Sequence, residues 1–112
     1  MDTKITMDHI SLGRRLVACK HFRPMRGMRD VQGRSWDDSL LWRWNSAIDV
    51  PDLRDPATVG CLLALVREAH GQSTLSPVML GRDRWCLADY GTTALDGKTE
   101  AALLVAALEA AP

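Results

Sequence analysis

Apart from four tryptophans, this chain has almost no aromatic side chains: one phenylalanine and one tyrosine in 112 residues. Its core must therefore be built largely from Leu, Val, Ile, Met and Ala. No apolar run approaches the roughly 18 residues that a membrane-spanning helix needs. Cysteine is scarce, and its count is odd. Cys19, Cys61 and Cys86 are widely spaced and lie beside apolar residues, which argues against a disulfide framework and for reduced thiols in or near the core.

The residue combinations that carry common chemistries are missing as well. Cys19 and His21 are close together, but no second pair stands at ligand spacing, and His9 and His70 are isolated, so no zinc site is expected. Gly97-Lys98-Thr99 opens a helical segment as a phosphate-binding loop would. The nearest upstream glycine is Gly91, however, with five residues between where that loop needs four. The segment reads as a turn and a helix cap. Asp37-Asp38 and Asp52/Asp55 fall at turn or cap positions, where aspartate has a structural role. No Gly-x-Ser-x-Gly element is present. No enzyme, cofactor or metal is expected.

What is present is ordinary for a globular domain: 46% hydrophobic and 25% charged residues, in a length that fits one domain over residues 1–112. Met1–Ile10 contains Asp2, Lys4 and Asp8 and no apolar stretch, so no signal peptide is expected, and the cytoplasm is the expected location.

The periodicities predict an α+β fold, in the order helix, hairpin, helix, hairpin, helix. Asp8 and Ser11 are cap candidates for a first helix, whose stripe is Leu12, Leu16 and Cys19. Pro24 stops it. Met25–Val31 and Leu40–Asn45 predict a first hairpin, with Leu40, Trp42 and Trp44 on one face. Asp55 as cap, Pro56 at the first helical position and Gly71 as stop frame a helix to about Ala69 or His70. Val59–Val66 is apolar on every side, which predicts a helix buried between other elements. The one-turn spacing of Gly60 and Ala64 would let a neighbouring backbone approach. Pro77–Leu80 and Arg84–Tyr90 predict a second hairpin around Gly81-Arg82-Asp83. Glu100–Ala110 predicts an alanine- and leucine-rich last helix. The arrangement expected is an antiparallel sheet packed on the buried Pro56–Ala69 helix.

The charges sum to zero but are unevenly placed. Arg14, Arg15, Lys20, Arg23, Arg26, Arg29 and Arg34 stand against the single acid Asp30 within residues 11–34. Residues 35–112 carry eleven acids against six bases. Two explanations stand side by side: an interaction surface, or mutual neutralisation of the two halves in the fold. Arg23, Arg26 and Arg29 surround Pro24, Met25, Gly27 and Met28. Arginine forks match carboxylates and phosphates, and arginine and methionine are enriched at interfaces. Trp36, in a polar loop beside Asp37 and Asp38, is the tryptophan expected at the surface. These four residues, Arg23, Arg26, Arg29 and Trp36, form the predicted partner-binding set.

Three segments resemble short accessory proteins of tailed phages and prophages. They are Phe22–Met28 (FRPMRGM), Pro51–Ala69 (PDLRDPATVGCLLALVREA) and the alanine-rich ending from Thr99 to Pro112. They span 40 of the 112 residues, about a third of the chain, and the central one is the most specific. The resemblance implies a phage setting and brings no activity with it. In that setting and at this size, the expected function is a binding protein that inhibits a host defence system by occlusion, in the manner of anti-CRISPR proteins. Its partner would be a host or phage protein complex, one that processes nucleic acid included. The alternative is a nucleic-acid-binding accessory protein that uses the Arg14–Arg34 stretch.

Overall fold

The computed structural model describes residues 7–23, 25, 27–31, 50–89 and 95–112. They form an α+β domain with three helices and a three-stranded antiparallel sheet: α1 (Met7–Ala18), α2 (Pro56–His70), β1 (Ser76–Gly81), β2 (Arg84–Ala88), β3 (Asp96–Gly97) and α3 (Glu100–Glu109). The strand order is β1-β2-β3. Among the described residues, no helix is long and apolar enough to cross a membrane.

Helix α2 begins and ends where its caps direct. The Asp55 carboxylate accepts from the Thr58 N–H at 3.0 Å, Pro56 occupies the first turn, and Gly71 closes the helix with φ of 64°. That left-handed conformation lets the Gly71 N–H reach the carbonyls of Arg67 and Glu68, and glycine adopts it without steric cost. Helix α3 starts at Thr99, whose hydroxyl accepts from the Ala102 N–H at 3.0 Å. This bears out Thr99 as the cap, while Gly97 ends strand β3 and is not part of a turn. Helix α1 spans Met7–Ala18, so both cap candidates, Asp8 and Ser11, lie inside it and neither caps it.

The centre of the fold is α3 and not α2. Leu103, Leu104, Val105, Ala107 and Leu108 are fully buried, because α3 packs against α1, α2 and all three strands. Helix α2 buries Thr58, Leu62, Leu65 and Val66 and leaves Ala57, Gly60, Ala64 and Glu68 exposed. Its outer face looks apolar in sequence only because Ala and Gly count as apolar; with so little side chain they expose little hydrocarbon.

Close backbone approach is likewise found elsewhere than at Gly60, around which there is open space. It occurs at Gly13, where a Cβ would sit 2.9 Å from the Val50 side chain, and at Gly97, where it would sit 2.7 Å from the Leu103 backbone nitrogen. Gly13 thus lets α1 lie against the 50–51 segment, and Gly97 lets β3 lie against α3.

The second hairpin forms in the predicted place, with Pro77 opposite Leu87, Val78 opposite Cys86 and Met79 opposite Trp85. Strand β3 was not predicted. It adds Gly97 opposite Trp85 and Asp96 opposite Cys86. Met25–Val31 is not a regular strand. It makes a turn in which the Met28 N–H donates to the Met25 carbonyl at 3.1 Å, with Gly27 at φ of 100°. A single bridge from Asp30 to Pro51 follows. The predicted partner strand Leu40–Asn45, with Trp42 and Trp44, lies outside the described residues, as does Trp36.

Candidate partner-binding surface

Two of the four predicted contact residues, Arg23 and Arg29, can be placed; Arg26 and Trp36 lie outside the described residues. Arg23 and Arg29 stand on either side of the Met25–Met28 turn. Fully buried Met28 anchors this turn in the core, and a Cβ at Gly27 would come within 3.5 Å of the Cys61 sulfur on α2.

The Arg23 guanidinium forks onto both carboxylate oxygens of Glu68 in α2, with its Nη2 3.0 Å from Oε2. These hydrogen bonds, together with the opposite charge, raise the Arg23 pKa and lower that of Glu68. The Arg15 guanidinium likewise forks onto the Glu109 carboxylate at the end of α3, through contacts of 3.2 Å and 2.6 Å. Two basic residues of the 11–34 stretch are therefore engaged by acids of the other half. The neutralisation reading of the charge asymmetry holds for them. Both pairs are exposed, where ion pairs contribute little to stability.

Arg29 is different. Its backbone is held at both ends of the peptide unit: its N–H donates to the buried Thr58 hydroxyl at 2.9 Å, and its carbonyl accepts from the Asp52 N–H at 2.7 Å. The Thr58 hydroxyl in turn donates to the Asp55 carboxylate at 3.0 Å. The Val31 N–H donates to the Val50 carbonyl at 3.0 Å just beyond. The residue itself is exposed. A fixed backbone thus carries an outward-facing arginine. Arg54, two residues past the Asp52 contact, forks onto Asp52 through contacts of 2.8 Å and 3.1 Å.

The thiols and imidazoles have structural surroundings. Cys19, Cys61 and Cys86 are half-buried and form no disulfide. Burial, helped by the charge of Asp55, pushes the Cys61 thiol up and keeps it away from the reactive thiolate form. His70 and His21 direct ring nitrogens at carbonyls near the end of α3, Ala107 at 2.7 Å and Ala111 at 3.3 Å. Among the described residues, no group of three or more His, Cys, Asp or Glu side chains is placed to hold a metal ion.

One feature had no signal in the sequence. A cleft of about 480 Å³ opens between His9 and Leu12 of α1, Val59 and Leu63 of α2, and Glu100 at the start of α3. Its walls come from three helices far apart in the chain, so no local pattern marks it. Arg54, already paired with Asp52, and Glu100 are its charged lining residues besides His9. Comparison of the chain with protein-family models, curated proteins and solved structures finds no match.

Proposed function

We propose that this is a small binding protein, set in a phage or prophage and acting in the bacterial cytoplasm, that inhibits a host defence complex by covering part of a protein surface. The observation that supports this reading is the presentation of Arg29. An exposed arginine on a backbone held from both sides loses little further freedom when it meets a carboxylate or phosphate, and such preorganisation favours affinity. Arginine is among the residues that most often dominate binding energy. Arg26, three residues earlier in sequence, and Trp36 complete the proposed contact set. Arg23 belongs to its rim, where its Glu68 pair already satisfies the guanidinium.

The pairing of Arg15 and Arg23 with acids shortens any continuous basic track and counts against the nucleic-acid alternative. A capture experiment tests the proposal. Tagged protein is used to isolate a partner from host lysate, and the complex is then titrated with wild type and with the Arg26→Glu/Arg29→Glu double variant. The variant is expected to melt as wild type does and to bind at least about tenfold more weakly, about 1.4 kcal/mol. Unchanged affinity with an unchanged melt would place the working surface elsewhere. Sub-micromolar binding to a defined DNA or RNA at physiological salt that falls steeply as salt is raised further would favour the alternative, since phosphate-directed binding by arginines is lost with salt.

A further inference from the structure

Helices α1 and α2 each lie against α3 and pack little against one another. The gap between them is the cleft of about 480 Å³. Its walls include Leu12, Val59 and Leu63, apolar side chains that stay half-buried while the core behind them is closed. Pro56, Gly60 and Thr99 at its rim are exposed, so the cleft is open to solvent along one side. A recess of this size, with apolar walls and a few polar groups, is the form that binding sites take.

Gly60 keeps this recess open. It lies in the middle of α2, where glycine costs helix stability relative to alanine. No close approach offsets that cost: outside its own stretch of α2, nothing lies within 4 Å of where its Cβ would stand. Gly13 and Gly97, by contrast, each admit a neighbouring segment. A larger side chain at residue 60 would occupy part of the cleft, since Gly60 is one of its lining residues. The glycine is therefore explained by the cleft and not by the packing of the core.

The cleft also adjoins the arginine surface. Asp30 and Pro51 form a bridge in which both residues are buried. Arg29 and Asp52 stand opposite each other in that register, on the outer side. Asp52 holds the Arg54 guanidinium, and Arg54 is part of the cleft wall. These three residues lead from the turn to the cleft, and their charges say what each end can take. Arg54 is neutralised by Asp52, whereas no acid among the described residues pairs with Arg29. Glu100, half-buried on the cleft wall, disfavours a second carboxylate inside. An acid is favoured at Arg29, and an uncharged, apolar group in the cleft.

We infer that this cleft is the anchor pocket of the partner-binding surface. It takes a bulky apolar side chain from a protein segment that carries, a few residues away, a carboxylate for Arg29. A segment of chain supplies both groups at once, and its backbone covers the open side of the cleft, which a free small molecule would leave wet. Apolar anchors seated in pockets are the usual centre of a protein interface. The inference rests on the proposed Arg29 contact and extends it to the groove between α1 and α2.

A displayed library of random peptides, selected on the immobilised chain, supplies the probe. Enriched sequences are expected to combine a bulky apolar residue with Asp or Glu a few positions away. One such peptide, synthesised, is then titrated against variants. Gly60→Phe fills the cleft and should weaken binding at least about tenfold, with a melting curve at or above that of wild type. Gly60→Leu repeats the test with a better helix former. Gly60→Ala leaves most of the recess open and should bind as wild type does. Arg29→Glu should weaken binding to a similar degree as Gly60→Phe. Binding that survives both Gly60→Phe and Gly60→Leu but falls with Arg29→Glu would overturn the anchor pocket and leave the Arg29 contact standing. Binding lost with Gly60→Phe but not with Arg29→Glu would keep the cleft as an apolar site and overturn its union with Arg29. A selection that enriches no such motif would overturn the inference, as would self-association of wild type that disappears in Gly60→Phe, which would assign the cleft to a second copy.

Discussion

The Arg29 N–H and the Thr58 hydroxyl, 2.9 Å apart, join the turn that carries the basic surface to the first turn of α2. Thr58 is completely buried. Its one oxygen accepts from Arg29 and donates to the Asp55 cap. One side chain therefore fixes both the start of a helix and the direction in which an arginine leaves the backbone.

Thr58→Val keeps the shape and removes both hydrogen bonds. It leaves the Arg29 N–H without its acceptor and the Asp55 carboxylate with one donor fewer, so it should cost about 1–3 kcal/mol in urea unfolding. Thr58→Ser keeps the hydroxyl and should restore partner binding even where it does not restore all of the stability. A Thr58→Val protein within about 0.5 kcal/mol of wild type would show that the bond does not hold the turn.

Much of this frame is legible in the sequence because it is local. Asp55, Pro56 and Gly71 define α2 through their own backbone preferences, and Thr99 defines the start of α3. What is not legible is long-range. Glu68 lies 45 residues from Arg23, and Glu109 lies 94 from Arg15; no local pattern says which carboxylate will face which guanidinium. Met28 and Asp30 do alternate with their neighbours: both are buried, Gly27 and Arg29 are exposed and Val31 is half-buried. Their described partner is Val50–Pro51, however, which has no strand pattern of its own. Strand β3 is two residues long, too short for any periodicity.

Leu62 and Leu104 compare the two central helices. Both are fully buried, so truncation to Ala should cost about 2–5 kcal/mol in either case. The loss at Leu104 should be at least as large, because α3 is enclosed by two helices and the sheet. A clearly smaller loss at Leu104 than at Leu62 in urea unfolding would return the centre of the core to α2.

The Arg23–Glu68 pair predicts a direction for a titration. The hydrogen bonds from Arg23 lower the Glu68 pKa in the folded protein. Its contribution is therefore present above the usual glutamate range and is lost as the pH falls through the depressed folded value. A carboxyl-carbon NMR titration should show Glu68 titrating below an unpaired glutamate. In Arg23→Gln its midpoint should move up toward that of an unpaired glutamate. A Glu68 curve that does not respond to Arg23→Gln would mean that the pair does not persist in solution.

Gly60, Gly97 and Gly13 should respond to alanine in opposite ways. Gly60 sits in the middle of α2, exposed, with open space where a Cβ would stand. Alanine there relieves the entropic cost of glycine in a helix and should stabilise the protein by about 0.5–1 kcal/mol. At Gly97 the new Cβ would lie 2.7 Å from the Leu103 nitrogen and 2.9 Å from its Cα. Those are backbone atoms of the most buried helix, which cannot swing aside as a side chain could. β3 and α3 would have to separate, and the protein should lose about 1–3 kcal/mol, the usual range for overpacking. Gly13→Ala falls between them. Its nearest neighbours are the Val50 Cβ and Cγ2, each at 2.9 Å, on a segment outside any helix or strand, and alanine's helix propensity offsets part of the strain. Urea midpoints for the three variants should therefore order as Gly60→Ala above wild type, then Gly13→Ala, then Gly97→Ala lowest. A Gly97→Ala protein as stable as wild type would mean that β3 is not held against α3, and a destabilised Gly60→Ala would mean that something covers the outer face of α2.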